Sequence, residues 1–139
     1  MDGFPKAKTS KLESPYLAVL KPVPTGQSRI YLLAGIPGKI IIANNCVLFE
    51  RLDRNIVLPV FEVGMTGGVD EKGAWLFDPV SNEYFRDKAR VYGGGGGSGE
   101  TIAELSARHV LQHRVPQRCS NALDIDTVVI LNPGLKPAE

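Results

Sequence analysis

Gly93-Gly94-Gly95-Gly96-Gly97-Ser98-Gly99 is the stretch on which the fold turns, because its reading decides whether the residues on either side share one interior. A run of glycine and serine predicts a flexible coil, since no side chain packs and the backbone loses the most entropy on ordering. Such a coil is of the kind joined in by design, which would divide the chain into residues 1–92 and 100–139. Its root-mean-square span of about 15 Å places the two flanks close together in space. Excision of a natural loop, fusion of a partner's fragment and circular permutation are the three origins that fit, with a natural glycine loop as the alternative. The run is not a phosphate-binding loop, because it lacks the G-x-x-x-x-G-K-[ST] arrangement. Gly64-Met65-Thr66-Gly67-Gly68 is no better, since no helix follows it to supply a dipole.

Upstream of the glycines the pattern reads as short strands. Tyr16–Leu20 is an apolar run stopped by Pro22 and Pro24. Arg29–Ala34 is followed by a turn cluster, Gly35-Ile36-Pro37-Gly38. Lys39–Ala43 and Cys46–Leu52 flank Asn44-Asn45, and two asparagines tolerate positive φ, so a two-residue hairpin is expected there. Ile56–Val63 comes next, with Pro59 predicting an edge or a bulge because it donates nothing to a ladder. A polar connection around Gly67-Gly68 and Asp70–Gly73 leads to Ala74–Phe77, Glu83–Arg86 and Ala89–Tyr92.

Downstream, Thr101 and Glu104 have the spacing of a capping box. Ile102, Ala103, Leu105, Ala107, Val110 and Leu111 then give an apolar face at helical spacing, predicting a helix that Pro116 ends. Asp124–Leu131 predicts a final strand. The fold class that follows is α+β: a mainly antiparallel sheet or small, partly open barrel, with one helix packed across it. Residues 1–14 read as a flexible tail and 15–139 as one domain interrupted at 93–99.

The chain has 139 residues, 43% of them hydrophobic and 22% charged, enough for one core and too apolar for disorder. Its net charge of +1 removes the easy argument for a broad phosphate-backbone grip. No run nears the length of a transmembrane helix and no apolar leader is evident, so no membrane partner is expected. These features predict an intracellular setting, cytoplasmic or nuclear, with Cys46 and Cys119 as free thiols. A Cys46–Cys119 disulfide stays open in principle, because sequence does not place the two Cα atoms.

His109, His113 and Cys119 are candidate metal ligands, since imidazoles four apart on a helix share a face and a thiolate can complete a tetrahedron. The bland reading of the two imidazoles is a pair of core-edge or surface histidines, and Cys46, at the start of an apolar strand, reads as a small core residue. The same Cys119 beside a histidine is the candidate for a thiol enzyme. Asp124 and Asp126 share a strand face, as paired carboxylates do in acid–base chemistry, or as a solvated edge does. Arg86, Lys88 and Arg90 form a basic stripe at period two with Tyr84, Phe85 and Tyr92 beside it, the pattern that single-stranded nucleic acid uses, so Tyr84, Arg86, Lys88 and Arg90 are candidate binding residues; Glu83 and Asp87 balance the stripe. No catalytic residue and no cofactor is assigned.

Ile40-Ile41-Ile42 and Val57–Phe61 are apolar on both faces and need cover on both. A partner protein, or a second copy, would supply it, and so would a closed barrel or a sandwich whose two sheets cover each other. The leading expectation is therefore a non-enzymatic protein–protein interaction module, an adaptor or subunit docking through a strand edge or apolar sheet face. A single-stranded nucleic-acid-binding barrel is the second expectation, and a small metal-dependent or thiol enzyme the third.

Overall fold

The computed structural model describes residues 14–24, 34–97 and 99–138. The expected tail and the expected strand Arg29–Ala34 lie outside the described residues, apart from Ser14 and Ala34. Along the chain run β1 (Ala18–Val19), β2 (Ala34–Ala43), β3 (Cys46–Arg51), β4 (Ile56–Phe61), β5 (Thr66–Asp70), β6 (Gly73–Asp78), β7 (Glu83–Phe85) and β8 (Arg90–Gly97). Two short helices follow, α1 (Ile102–Ala107) and α2 (Gln117–Ser120), and then β9 (Val128–Leu131) and β10 (Lys136–Pro137).

The protein is mostly β, with a seven-stranded mixed sheet and a three-stranded antiparallel sheet of β5, β6 and β7. In the larger sheet β3 pairs with β2 and β4, β2 with β8, and β8 with β9, all antiparallel. β9 then runs parallel to β4, so these pairings return to the strand from which they started. The sheet is therefore mixed where a mainly antiparallel one was expected, because β1 and β9 both lie parallel to β4.

The glycine run departs most from its reading. Gly93–Gly97, expected as coil, are the second half of β8, laid between β2 and β9. Gly95 faces Ala34 on one side and Leu131 on the other. It sits at φ +149°, and a Cβ there would fall on the carbonyl oxygen of Ile130. What the run gives up in entropy, ladder hydrogen bonds on two flanks and close backbone approach return.

Pro59 is neither at an edge nor in a bulge. On one flank β4 pairs with β9 throughout Leu58–Phe61. On the other, β3 pairs only as far as Val57 and β1 only from Val60 onward. Pro59 occupies the handover between them, where the missing N–H deprives no partner. The Gly35–Gly38 cluster, expected as a turn, lies inside β2, and Gly67-Gly68 lie inside β5.

Side chains divide by strand period into two clusters. Ile40, Val47, Phe49, Val57, Phe61, Val91, Val129 and Leu131 come from all five strands of the closed circuit and pack with Met65, Leu76, Phe85 and Leu135. Leu48, Leu58, Val60 and Val128 face the other way and pack with Ala18, Leu20, Ile102, Leu105 and Leu111. The chain's own β5–β7 unit and its α1–α2 segment thus cover both faces of Val57–Phe61. Val57, Leu58, Val60 and Phe61 are all buried within the chain itself, while Ile41 and Ile42 of β2 are half-buried.

The α1 helix has the expected capping box: Thr101 Oγ1 accepts from Glu104 N at 3.1 Å, and Glu104 Oε1 accepts from Thr101 N at 2.9 Å. It ends nine residues before Pro116, at Ala107. Beyond it His109 takes a left-handed φ of +54°, and Leu111 bridges Leu20 in an antiparallel pair. Lys21 N donates to Val110 O and Gln112 N to Val19 O, so these apolar residues serve β1 and not a longer helix. Pro116 instead caps α2. Cys119 on α2 is disulfide-bonded to Cys46, with Cα atoms 5.7 Å apart, so neither is a free thiol. Among the described residues no helix is long and apolar enough to cross a membrane.

Candidate functional site

The three-stranded sheet has one buried and one exposed face. Leu76 and Phe85, paired across β6 and β7, are buried and join the interior. Trp75 and Phe77 stand one residue to either side of Leu76 and so project from the opposite face. Tyr84 pairs with Phe77 and completes the outer group. Its ring centroid is 4.5 Å from that of Phe77 at an interplanar angle of 41°, and 5.2 Å from that of Trp75 at 79°. These are the tilted and edge-to-face arrangements that the ring quadrupoles favour.

Two features fix this face. Gly68 on β5 is paired with Trp75, and a Cβ there would strike the indole ring, so the ring lies directly over the glycine. At the rim, Arg86 donates to both carboxylate oxygens of Asp70, at 3.0 and 2.7 Å, and to Gly73 O at 3.1 Å. That guanidinium is the leading cause holding the Asp70 carboxyl below the usual carboxylate range. Tyr84 nevertheless remains 61% exposed, an aromatic side chain held by neighbours and open to solvent.

Arg86, Lys88 and Arg90, read as one basic stripe with Tyr84 beside it, do not share a strand. Tyr84 is on β7, and Arg86, just past it, is paired with Asp70. Lys88 sits in a turn at φ +72°, its N–H donating to Ile40 O at 2.7 Å. Arg90 opens β8, in the larger sheet. A period-two reading required one continuous strand over 84–90, and the turn at 86–89 interrupts it.

His109, His113 and Cys119 are likewise dispersed. His109 lies beyond the C-terminus of α1, His113 is not helical, and its carbonyl accepts the Tyr16 hydroxyl at 2.7 Å. Cys119 is committed to Cys46, which removes the thiolate from both the metal and the nucleophile readings. Among the described residues no group of three or more His, Cys, Asp or Glu is placed to hold a metal ion. Asp124 and Asp126 precede β9 and do not lie on it: Asp124 Oδ2 accepts from Ile56 N at 2.9 Å, and Asp126 Oδ1 accepts from Ile102 N at 3.2 Å, at the start of α1. Both carboxylates serve as backbone acceptors.

Trp75 and Phe77 were not singled out from sequence, although the alternation Trp75-Leu76-Phe77 carried the signal that one face is aromatic. What it lacked was the identity of the buried face, since all three are apolar. Comparison with protein-family models, with curated proteins and with solved structures finds no match, so the chemistry of this chain is read from its own residues.

Proposed function

We propose that this chain is a non-enzymatic protein–protein interaction module that docks another protein on the aromatic face of its three-stranded sheet. The observation that carries the reading is Tyr84, 61% exposed while its ring packs against both Trp75 and Phe77. Trp, Tyr and Arg are the residues over-represented where binding energy concentrates. Rings already held by their neighbours lose little rotamer freedom on binding, so more of the contact energy appears as affinity. The Asp70–Arg86 pair at the rim supplies orientation. This places docking on a face other than the apolar strands from which it was first inferred.

The Cys46–Cys119 disulfide favours an oxidising compartment over the intracellular setting read from the sequence, because cytosolic thiols are held reduced.

Trp75 is the only tryptophan, so its emission reports on this face alone. The test is capture of a stoichiometric partner by the wild-type chain and by Tyr84→Ala, followed by titration of that partner against Trp75 fluorescence. The reading requires a shift in emission on binding and about a tenfold or greater loss with Tyr84→Ala. A partner held equally by both chains, or concentration-dependent self-association that accounts for all the binding, overturns it.

A further inference from the structure

A groove of about 370 Å³ lies where β2 runs between β3 and β8, with Lys39, Glu50, Arg51, Arg54 and Arg90 among its lining. Lys39 is the cross-strand partner of Glu50 on one side and of Arg90 on the other, so the three side chains share a face. Directly opposed side chains have Cβ atoms about 5 Å apart, and like charges so placed are destabilising. Lys39 therefore faces an acid, Glu50, on one flank and a like charge, Arg90, on the other. Arg51 is paired with Asp53. Among the described residues no ion pair engages Lys39, Arg54 or Arg90, and Glu50 is the one acid lining the groove.

The backbone at Arg54 is fixed ahead of any ligand. It sits at φ +76° in a turn closed by Arg54 N to Arg51 O at 2.9 Å and Arg51 N to Asn55 O at 3.0 Å. Asp53 Oδ1 accepts from Asn55 N at 3.0 Å and fixes the same turn. A left-handed φ in a non-glycine residue is tolerated where the surroundings over-determine it. Here it brings a guanidinium to a groove whose Lys39 and Arg90 no ion pair engages among the described residues.

We propose that this groove binds an oligophosphate group, a short chain of phosphates carrying at least two negative charges. Lys39, Arg54 and Arg90 outnumber Glu50, the one acid, so a single carboxylate would leave part of the cationic charge unanswered. A phosphate chain offers several oxygens to guanidinium forks, which engage them bidentately, and to a lysine ammonium, which acts as a point charge. The inference is independent of the aromatic face. The phosphate chain of a nucleotide and a free oligophosphate share this chemistry.

The test is calorimetric titration of the full chain with tripolyphosphate, ATP, adenosine and an oligothymidylate. Binding of tripolyphosphate without binding of adenosine supports the proposal; equal affinity for ATP assigns the source to nucleotides, and weaker affinity for ATP assigns it to free oligophosphate. Arg90→Gln and Lys39→Gln each weaken tripolyphosphate binding about tenfold. No binding of tripolyphosphate at millimolar concentration, binding indifferent to both substitutions, or binding of ATP or the oligothymidylate alone overturns it.

Discussion

The buried carboxylate of Asp78 accepts the backbone N–H of Leu135 at 2.8 Å, tying the three-stranded sheet to the last segment of the chain. The same Oδ2 accepts from Gly134 N at 2.8 Å, while Oδ1 accepts from Val80 N at 2.9 Å and Ser81 N at 3.2 Å. One side chain with no exposure thus answers four amides from two segments. Buried amides are rarely left without an acceptor, and this arrangement explains why a charged residue is tolerated in the interior.

Asp78→Ala strands these amides and is expected to lower stability by about 3 kcal/mol. Asp78→Asn keeps one acceptor oxygen and turns an amide group toward the other pair of donors, so it falls between the alanine variant and wild type. Urea unfolding of the three proteins orders them. Equal midpoints would mean the four hydrogen bonds contribute nothing.

Gly95→Ala and Gly97→Ala separate a strand from a tether. At Gly95 a methyl group would meet the Ile130 carbonyl, at a φ that side chains rarely adopt, so a loss of about 3 kcal/mol or more is expected. At Gly97 a Cβ would meet nothing within 4 Å, so alanine should be neutral or stabilising by about 0.5 kcal/mol, through the unfolded chain. Thermal unfolding of both variants measures the contrast. A flexible tether would leave the two indistinguishable.

The disulfide closes a loop with a sequence separation of 73 between Cys46 and Cys119. Loop closure of that length corresponds to about 4 kcal/mol in the chain-entropy account. On α2 beside it, Arg118 donates to Asn44 O at 3.1 Å and Asn45 O at 3.3 Å, clamping the helix to the same hairpin. Cys119→Ser is expected to lose most of the covalent contribution while Arg118 retains the helix in place. Thiol titration of the unfolded, unreduced chain should find no reactive thiol, and two after reduction; two at the outset would contradict the bond.

Burial raises the Tyr16 phenol from its ordinary 10.0 to about 12. Its hydroxyl donates to His113 O at 2.7 Å, which only the neutral form can do. The folded pKa lies above the unfolded one, so the contribution to stability is whole below pH 10 and is lost as pH rises through about 12. The difference in phenolate absorbance between wild type and Tyr16→Phe isolates this group among the four tyrosines. A midpoint near 10 would place the ring in solvent.

Where the sequence was legible, the cause was local. Asn44 and Asn45 adopt φ of +54° and +57°, the pair of left-handed residues that a tight hairpin between β2 and β3 needs. Thr101 and Glu104 cap α1 reciprocally because the partners lie three residues apart. The candidate sites were less legible, since each was inferred from spacing along one element. A turn at Lys88 separates Arg86 from Arg90, and α1 ends before His109, so the residues that spacing grouped are dispersed. Trp75, Phe77 and Tyr84 come together only because β6 and β7 pair in one register.

The amino-acid sequence by itself determined that this chain is rich in short strands, turns at Asn44-Asn45 and starts a helix after Thr101, because those outcomes follow from backbone preferences over a few residues. Tertiary structure alone decided that Gly93–Gly97 form a strand, that Cys46 reaches Cys119, and that Val110 and Leu111 leave the helix to meet β1. Local preferences differ by only about 1 kcal/mol per residue. Ladder hydrogen bonds on two flanks and burial against residues far along the chain outweigh them, and neither can be counted until the partners are in place.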